Sequence, residues 1–253
     1  MYHRTAAMVA VITGASRGIG RATALAAAER GYDVCVNYVR NRSAADEVVD
    51  QIKRVGRRAI PVAADVRSEP DVVRLFAEVD DRLGPVHALV NNAGVLEPQM
   101  RLADMTAERL DRVFGVNIIG PFLCAREAVR RMSTKHGGRG GAIVNVSSAA
   151  SRIGSAGEYI DYAASKGALE TMTLGLAREV ADEGIRVNAV RAGHIYTDIH
   201  ASGGEPNRVD RLKDTIPMKR GGDPAEVARA ILWLLSDEAS YVTGTFLDVT
   251  GGR

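Results

Sequence analysis

The chain has 253 residues, of which 46% are hydrophobic and 25% charged, and its formal net charge at neutral pH is +2. This near-balance of charge argues against nucleic acid or an anionic membrane as the main partner, and the hydrophobic content is enough for a full core. The two cysteines, Cys35 and Cys124, have neither metal-ligand nor disulfide spacing. Residues 1–7 contain no apolar segment of signal-peptide length and no run approaches a membrane span, so we expect a cytoplasmic protein.

Short apolar runs alternate with amphipathic helical patterns along the whole chain. Strands are predicted at residues 9–13, 33–38, 59–63, 88–91, 142–147, 186–190 and 245–249. Helices are predicted at residues 21–30, 44–55, 71–83, 107–132, 162–182 and 225–235. Alternating strands and helices give right-handed crossovers and a parallel sheet covered on both faces. The sequence therefore predicts an α/β, doubly wound fold in which residues 1–253 form a single domain.

A glycine-rich turn follows the first predicted strand. Gly14, Gly18 and Gly20 lie between this strand and an alanine-rich helix that begins near Arg21. A strand, a glycine turn and a helix in this order present backbone N–H groups and a positive helix end to a pyrophosphate. The spacing is Gly-x-x-x-Gly-x-Gly, which differs from the common Gly-x-Gly-x-x-Gly pattern. The turn predicts a dinucleotide site at the start of the chain.

Two segments interrupt the alternation. Residues 130–141 are basic and glycine-rich. They fit either a dock for an acidic carrier or phosphorylated substrate, or a solvated helix end whose cations suit the helix dipole, and we favour the helix end. Residues 192–218 are long and polar. Loops of this length in compact domains are typically lids, and this one would lie over the carboxyl ends of the strands, where ligands bind.

Tyr162 and Lys166 are four residues apart in a segment with helical periodicity. Positions i and i+4 share one face of a helix, so the phenol and the ammonium are expected to point into the same space. A nearby cation favours the phenolate and would lower the pKa of the tyrosine. Such a tyrosine can exchange a proton with a carbinol oxygen near neutral pH. The alternative is an exposed helix on which the two residues merely coincide.

The ordered motifs resemble the short-chain dehydrogenase/reductases over nearly the whole chain. They are Thr13-Gly14-x-x-x-Gly18-x-Gly20, Asp65-Val66, Asn91-Asn92-Ala93-Gly94, Asn117, Ser147-Ser148 and Tyr162-x-x-x-Lys166. The resemblance implies a three-layer Rossmann fold with seven strands in the order 3-2-1-4-5-6-7. It also implies a nicotinamide cofactor and, commonly, a homotetramer.

The family's catalytic roles transfer to four residues of this chain. Tyr162 would be the general acid in carbonyl reduction and the base in alcohol oxidation, and Lys166 would lower its pKa and bind the nicotinamide ribose. Ser148, fourteen residues before Tyr162, would hold the substrate oxygen, with Ser147 as the competing serine. Asn117 would anchor a water of a proton relay. Tyr159 is excluded because Ala163, four residues on, supplies no cation.

The resemblance also implies a wider set of cofactor contacts. They come from the glycine turn, the strand ends, the Asn-Asn-Ala-Gly motif, the catalytic pair and the start of the lid: Gly14, Ser16, Arg17, Gly18, Ile19, Gly20, Asn37, Tyr38, Arg40, Asp65, Val66, Asn91, Ala93, Gly94, Tyr162, Lys166, Gly193, Ile195 and Thr197. Ala192-Gly193 stands where the family usually has Pro-Gly, which relaxes the entry to the lid.

Cofactor preference depends on the end of the second strand. NAD-dependent members usually carry an acid there, and this chain has none between Asp33 and Asp46. Arg17, Arg40 or Arg42, with Asn37 and Ser43, are available for the 2′-phosphate instead. We therefore expect NADP(H), with NAD(H) as the alternative. Arg40 and Arg42 as plain surface charges are the competing interpretation.

The substrate expected is a small carbonyl compound or alcohol, with 3-oxoacyl thioesters and sugars or polyols as the leading classes. The histidines and acids of the lid lack a fixed ligand spacing, so no metal is expected. Neither nucleic acid nor membrane is expected as a partner. A catalytically silent NADP-binding sensor or scaffold is the alternative function, although it has no need of Asn117, Ser148, Tyr162 and Lys166 together.

Overall fold

A single parallel sheet of seven strands runs through the described residues. The computed structural model describes residues 8–253. The expectation that residues 1–7 contain no signal peptide concerns residues outside this range. The strands lie in the order β3-β2-β1-β4-β5-β6-β7, which confirms the order that the family resemblance implies. They are β1 Val9–Ile12, β2 Asp33–Tyr38, β3 Ala59–Ala63, β4 Ala88–Asn91, β5 Gly141–Ser148, β6 Ile185–Ala192 and β7 Phe246–Val249.

Helices cover both faces of this sheet. They are α1 Gly18–Glu29, α2 Arg42–Arg54, α3 Glu69–Arg82, α4 Ala107–Phe114, α5 Gly120–Met132, α6 Ala150–Ile153, α7 Ile160–Glu179, α8 Ile199–Ser202, α9 Arg208–Leu212 and α10 Pro224–Leu235. Successive side chains of a strand point to opposite faces. Ala10 and Ile12 accordingly join the core beneath α1, α2 and α10. Val9 and Val11 join the core beneath α3, α5 and α7.

The predicted helix at 107–132 is interrupted. A π-helical turn, Gly115–Ile119, separates α4 from α5, and the Gly120 N–H donates to the Gly115 carbonyl, five residues back. A Cβ on Gly120 would lie 2.6 Å from Val66 Cγ2, so α5 approaches the end of β3 closely at this point. The helical periodicity of the sequence does not reveal one inserted residue. The turn matters because it contains Asn117, and π-turns are frequent at functional sites.

The segment after β6 is folded back on itself. It contains α8, α9 and a 3₁₀ turn at Lys213–Thr215. Its base is closed by a parallel bridge between Ile195 and Gly222, and the Tyr196 N–H donates to the Gly222 carbonyl over 3.0 Å. The polar loop expected at 192–218 therefore has its own short helices.

Candidate active site

The glycine turn after β1 is held by side chains from two neighbouring strands. Asn92 Nδ2 donates to the carbonyls of Thr13 (2.8 Å) and Gly14 (3.1 Å). A Cβ on Gly20 would lie 2.4 Å from both Asn92 Nδ2 and Gly14 O, so only glycine fits there. Gly14 has φ +62° and Gly18 φ +54°, values that glycine adopts without strain. The result is a narrow cradle at the amino end of α1, the shape that a pyrophosphate requires.

The remaining predicted residues of the turn lie around this cradle. Ser16 is half-buried, Arg17 is exposed, and Ile19 stands in the first turn of α1. Sequence reasoning omitted Thr13 and Asn92 from the site. Thr13 Oγ1 accepts the N–H groups of Asn92 and Ala93, both over 3.0 Å. Thr13 opens the glycine motif and Asn92 belongs to the Asn-Asn-Ala-Gly motif, and these positions were the sequence signal for their role.

The expectation that the Asn37 side chain binds the 2′-phosphate is corrected by its hydrogen bonds. Its side chain is buried, accepts the Gly14 N–H over 3.2 Å, and donates to the carbonyls of Val62 and Ala64. Every polar atom of the amide is thus committed to the protein, so the side chain supports the turn instead of binding a 2′-phosphate.

The charges near the end of β2 fall into free and paired groups. Arg42 Nε contacts both carboxylate oxygens of Asp46 over 2.9 Å. Arg17 and Arg40 are exposed and form no ion pair within residues 8–253. Asp33, at the opposite end of β2, is held by Arg57 and Arg58. Within residues 8–253, the Tyr38 end of β2 therefore carries no acid of its own, and Arg17 and Arg40 remain unpaired.

Three predicted cofactor contacts, Tyr38, Asp65 and Val66, lie at or just after the ends of β2 and β3. Tyr38 is the last residue of β2 and is buried. The Asp65 carboxylate binds Arg67 over 2.6 Å; this hydrogen bond, with a smaller contribution from Arg40, lowers the pKa of Asp65. Val66 is buried against Gly120. Arg40 is thereby placed beside Asp65.

The start of the lid approaches the glycine turn. A Cβ on Gly18 would lie 3.3 Å from Thr197 Cγ2, so two predicted cofactor residues 179 positions apart in sequence face each other. Gly193 packs against Thr250, and Ile195 is buried. The structure thus brings both predicted ends of the cofactor site together.

Tyr162 and Lys166 share one face of α7, as predicted. Lys166 Nζ lies 5.5 Å from the centroid of the Tyr162 ring and donates to the Val146 carbonyl over 2.7 Å. Burial lowers the pKa of Lys166 to about 8. Burial also raises the pKa of Tyr162, although a hydrogen bond with Ser148 opposes the rise. Desolvation therefore dominates the pKa of Tyr162 in this arrangement, and the lowering of that pKa by Lys166 stays a prediction.

Ser148 and Ser147 point in different directions at the end of β5. Ser148 is half-buried, and its Oγ accepts the Ala150 N–H over 3.1 Å, which leaves its own proton available. Ser147 is buried and its Oγ donates to Glu170 over 2.8 Å. Of the two serines, only Ser148 lies close enough to the Tyr162 phenol to lower its pKa.

Asn117 and the Asn-Asn-Ala-Gly motif complete the floor of the site. Asn117 exchanges two hydrogen bonds with the Val95 backbone and donates to Ser165 Oγ over 3.0 Å. A Cβ on Gly94 would lie 3.6 Å from Lys166 Nζ. Asn91 is buried, with its amide donating to Asn145 Oδ1 over 2.9 Å. The Asn117 side chain therefore fixes the loop after β4. A water of the predicted proton relay would bind a backbone atom of Asn117 instead.

The basic segment 130–141 has few free charges. Arg130 and Arg131 bind Glu127, and Lys135 binds Asp182 and Glu183. These pairs agree with a solvated helix end and leave little cationic surface for an acidic carrier.

Comparison with known proteins identifies the family. A crystal structure of a short-chain type dehydrogenase/reductase from Mycobacterium marinum superposes with a TM-score of 0.90 at 34% identity, covering 97% of this chain and 94% of that one. The profile of the family described as "Enoyl-(Acyl carrier protein) reductase" matches residues 14–253. The chain is a short-chain dehydrogenase/reductase. Members of this family are NAD(P)-dependent oxidoreductases, so the protein is an enzyme that binds a nicotinamide cofactor.

Three relatives align with this short-chain dehydrogenase/reductase over nearly its whole length. An uncharacterized oxidoreductase, YgfF of Escherichia coli, is 60% identical over 97% of the chain and 99% of its own length. A 3-oxoacyl-[acyl-carrier-protein] reductase of Staphylococcus epidermidis is 37% identical over 96% of the chain and 97% of its own length. Versicolorin reductase 1 of Aspergillus parasiticus is 39% identical over 99% of the chain and 97% of its own length.

Within residues 8–253, no helix is both long and apolar enough to cross a membrane. The same residues contain no group of three or more histidine, cysteine, aspartate or glutamate side chains placed to hold a metal ion.

Proposed function

We propose that the protein transfers a hydride between NADP(H) and a carbonyl or secondary alcohol. The observation that carries this proposal is the convergence of Ser148, Tyr162 and Lys166 beside the glycine cradle. A silent NADP-binding sensor has no use for a polarised carbonyl site next to its cofactor.

The chain's own residues supply proton transfer and positioning. Because burial keeps the Tyr162 phenol protonated at neutral pH, the tyrosine is in the form that carbonyl reduction needs. Ser148 donates its free proton to the substrate oxygen as charge develops there. Lys166 contributes positive charge and a donor for the cofactor ribose, and Asn117 supports the relay behind it. When bound, the nicotinamide supplies or accepts the hydride.

The preference for NADP(H) over NAD(H) rests on charge at the end of β2. Arg17 and Arg40 are exposed and unpaired within residues 8–253, and Arg40 is close enough to the predicted cofactor residue Asp65 to help lower its pKa. Guanidinium groups bind phosphate oxygens through charge-assisted hydrogen bonds. An NAD-type acid at this point would repel the same phosphate.

The substrate is proposed to be a small carbonyl compound or alcohol enclosed by a lid at about 192–218, in a single-domain subunit of a cytoplasmic homotetramer. The 3-oxoacyl-[acyl-carrier-protein] reductase and versicolorin reductase among the relatives favour reduction, while the polar lid also fits sugars and polyols.

The first test is a substrate panel with both cofactors. NADPH and NADH consumption would be followed with small ketones, aldehydes, 3-oxoacyl thioesters and sugar-derived carbonyls, and alcohol and sugar oxidation would be run in reverse. Turnover with NADPH preferred supports the proposal. Tight NADPH binding without turnover across the panel would instead favour the silent cofactor-binding protein.

A further inference from the structure

Glu170 lies on α7 two turns beyond Tyr162 and takes no part in the mechanism proposed above. Its Oε1 accepts hydrogen bonds from Ser147 Oγ (2.8 Å), Ser151 Oγ (2.6 Å) and Arg191 Nε (2.8 Å). Its Oε2 accepts from Arg191 Nη2 over 2.7 Å. One carboxylate thereby joins the end of β5, the helix α6, the strand β6 and the helix that carries the tyrosine and the lysine.

The serine proposed to hold the substrate lies inside this arrangement. Ser148 lies between Ser147 and Ser151 in the sequence, and both of these serines contact Glu170. Ser151 Oγ is also 2.8 Å from the carbonyl oxygen of Ser148. Residues on both sides of Ser148 are therefore held by Glu170, and the Ser148 Oγ accepts the Ala150 N–H from the same turn.

The carboxylate is charged and well paired. Burial raises its pKa, but hydrogen bonds from Arg191, Ser151 and Ser147 outweigh burial, so the pKa of Glu170 is lowered and it is ionised at neutral pH. The Glu170 and Arg191 side chains are 13% and 15% exposed. The Arg191 guanidinium also lies 4.5 Å from the centroid of the Phe246 ring. An ionised carboxylate is an acceptor only, which matches the donors that surround it.

We infer that Glu170 is a positioning residue, which orients the Ser147–Ser151 turn so that the Ser148 hydroxyl meets Tyr162 and the substrate oxygen. This inference rests on the proposed function, in which Ser148 and Tyr162 act on the same oxygen. An amide at position 170 keeps the size of the side chain but replaces an acceptor oxygen with a donor, so it cannot accept from all the present partners.

The test follows the Tyr162 phenol directly and needs no substrate. Protein labelled with ¹³Cζ-tyrosine is examined by NMR at neutral pH, the Tyr162 resonance being assigned as the one absent from Tyr162→Phe. The displacement of this resonance in Ser148→Ala is the reference, because that variant lacks the serine hydroxyl beside the phenol. Glu170→Gln is expected to displace the resonance in the same direction by at least roughly half as much, because the serine loses its fixed orientation.

Glu127→Gln is the matched control. Glu127 is also buried and binds Arg126, Arg130 and Arg131, but it lies on α5 beside α3, and none of its hydrogen bonds within residues 8–253 involves the Ser147–Ser151 turn. Glu127→Gln should lower the melting temperature of the protein at least as much as Glu170→Gln does, and it should leave the Tyr162 resonance in place. Ser151→Ala provides a milder second variant should Glu170→Gln fail to fold, and it should displace the resonance as well.

The outcomes separate the two proposals. A displaced resonance in Ser148→Ala with an unchanged one in Glu170→Gln and Ser151→Ala overturns the positioning role alone. An unchanged resonance in Ser148→Ala overturns both the proposed serine–tyrosine pair and the inference built on it. An equal displacement in Glu127→Gln would mean that loss of any buried carboxylate moves the phenol, which also overturns the positioning role.

Discussion

At the scale of single residues, burial sets the protonation of the proposed catalytic pair. Lys166 is only 4% exposed and has no acid partner within residues 8–253, so removing its charge from water lowers its pKa to about 8. Tyr162 responds to the same surroundings in the opposite sense, because its charged form is the deprotonated one. Both shifts favour the neutral forms of the two side chains.

The first prediction concerns Lys166 and the pH dependence of stability. Below pH 8 the lysine is charged in the folded and unfolded chains alike, and its burial destabilises the fold. As the pH rises through 8, the folded chain loses this proton while the unfolded chain keeps it up to about 10.5, so the free energy of unfolding rises. Between about pH 7 and pH 9.5, the free energy of unfolding should increase by about 2 kcal/mol less in Lys166→Met than in the wild type.

Urea denaturation of both proteins at the two pH values measures the difference. Comparing the two proteins cancels contributions from Cys35 and Cys124, whose pKa values burial also raises. An identical pH dependence in the two proteins would mean that the buried lysine titrates normally.

The second prediction concerns the two unpaired arginines. Arg17→Ala and Arg40→Ala should each weaken NADPH binding roughly 10- to 100-fold, the worth of a charge-assisted hydrogen bond, and change NADH binding little. Arg42→Ala is the matched control, because its guanidinium is already bound to Asp46. Fluorescence titration with each cofactor measures the effect. Equal losses for NADPH and NADH would contradict the assignment of the phosphate site.

At the scale of elements, α9 holds the proposed lid, residues 192–218, in place. Arg208 binds Glu158 over 2.5 Å and Glu205 over 2.8 Å, and its guanidinium lies 5.0 Å from the centroid of the Tyr159 ring. Glu158 and Tyr159 lie just before α7. The lid is thus fastened to the start of the helix that carries Tyr162 and Lys166.

The third prediction follows from this attachment. Arg208→Gln should speed backbone hydrogen exchange across α8 and α9 by roughly 10-fold or more, because it leaves Glu158 without its cationic partner and removes one of the two arginines that bind Glu205. Arg220→Gln is the control: Arg220 binds Glu226 outside these helices and should leave their exchange unchanged. Unaltered exchange in Arg208→Gln would show that the lid is held elsewhere.

At the scale of the whole molecule, the alternating pattern predicted the parallel sheet, and the family resemblance carried by the ordered motifs implied its strand order. The glycine turn, the Asp65-Val66 pair and the Asn-Asn-Ala-Gly motif were predicted to meet at its carboxyl edge, because each lies at or just after the end of a strand. The π-turn at Gly115–Ile119 was missed since a single inserted residue hardly changes hydrophobic periodicity. The structural use of Asn37 and the raised pKa of Tyr162 depend on burial and on long-range partners, which the local sequence does not encode.

The most direct test of the account compares the wild type with Tyr162→Phe. NADPH binding and turnover would be measured side by side on the best member of the carbonyl panel. Loss of the phenol proton should reduce turnover roughly 10²- to 10⁴-fold and leave NADPH affinity nearly unchanged, because the ring and its packing remain. Turnover that survives in Tyr162→Phe would contradict the central claim that this tyrosine transfers the proton.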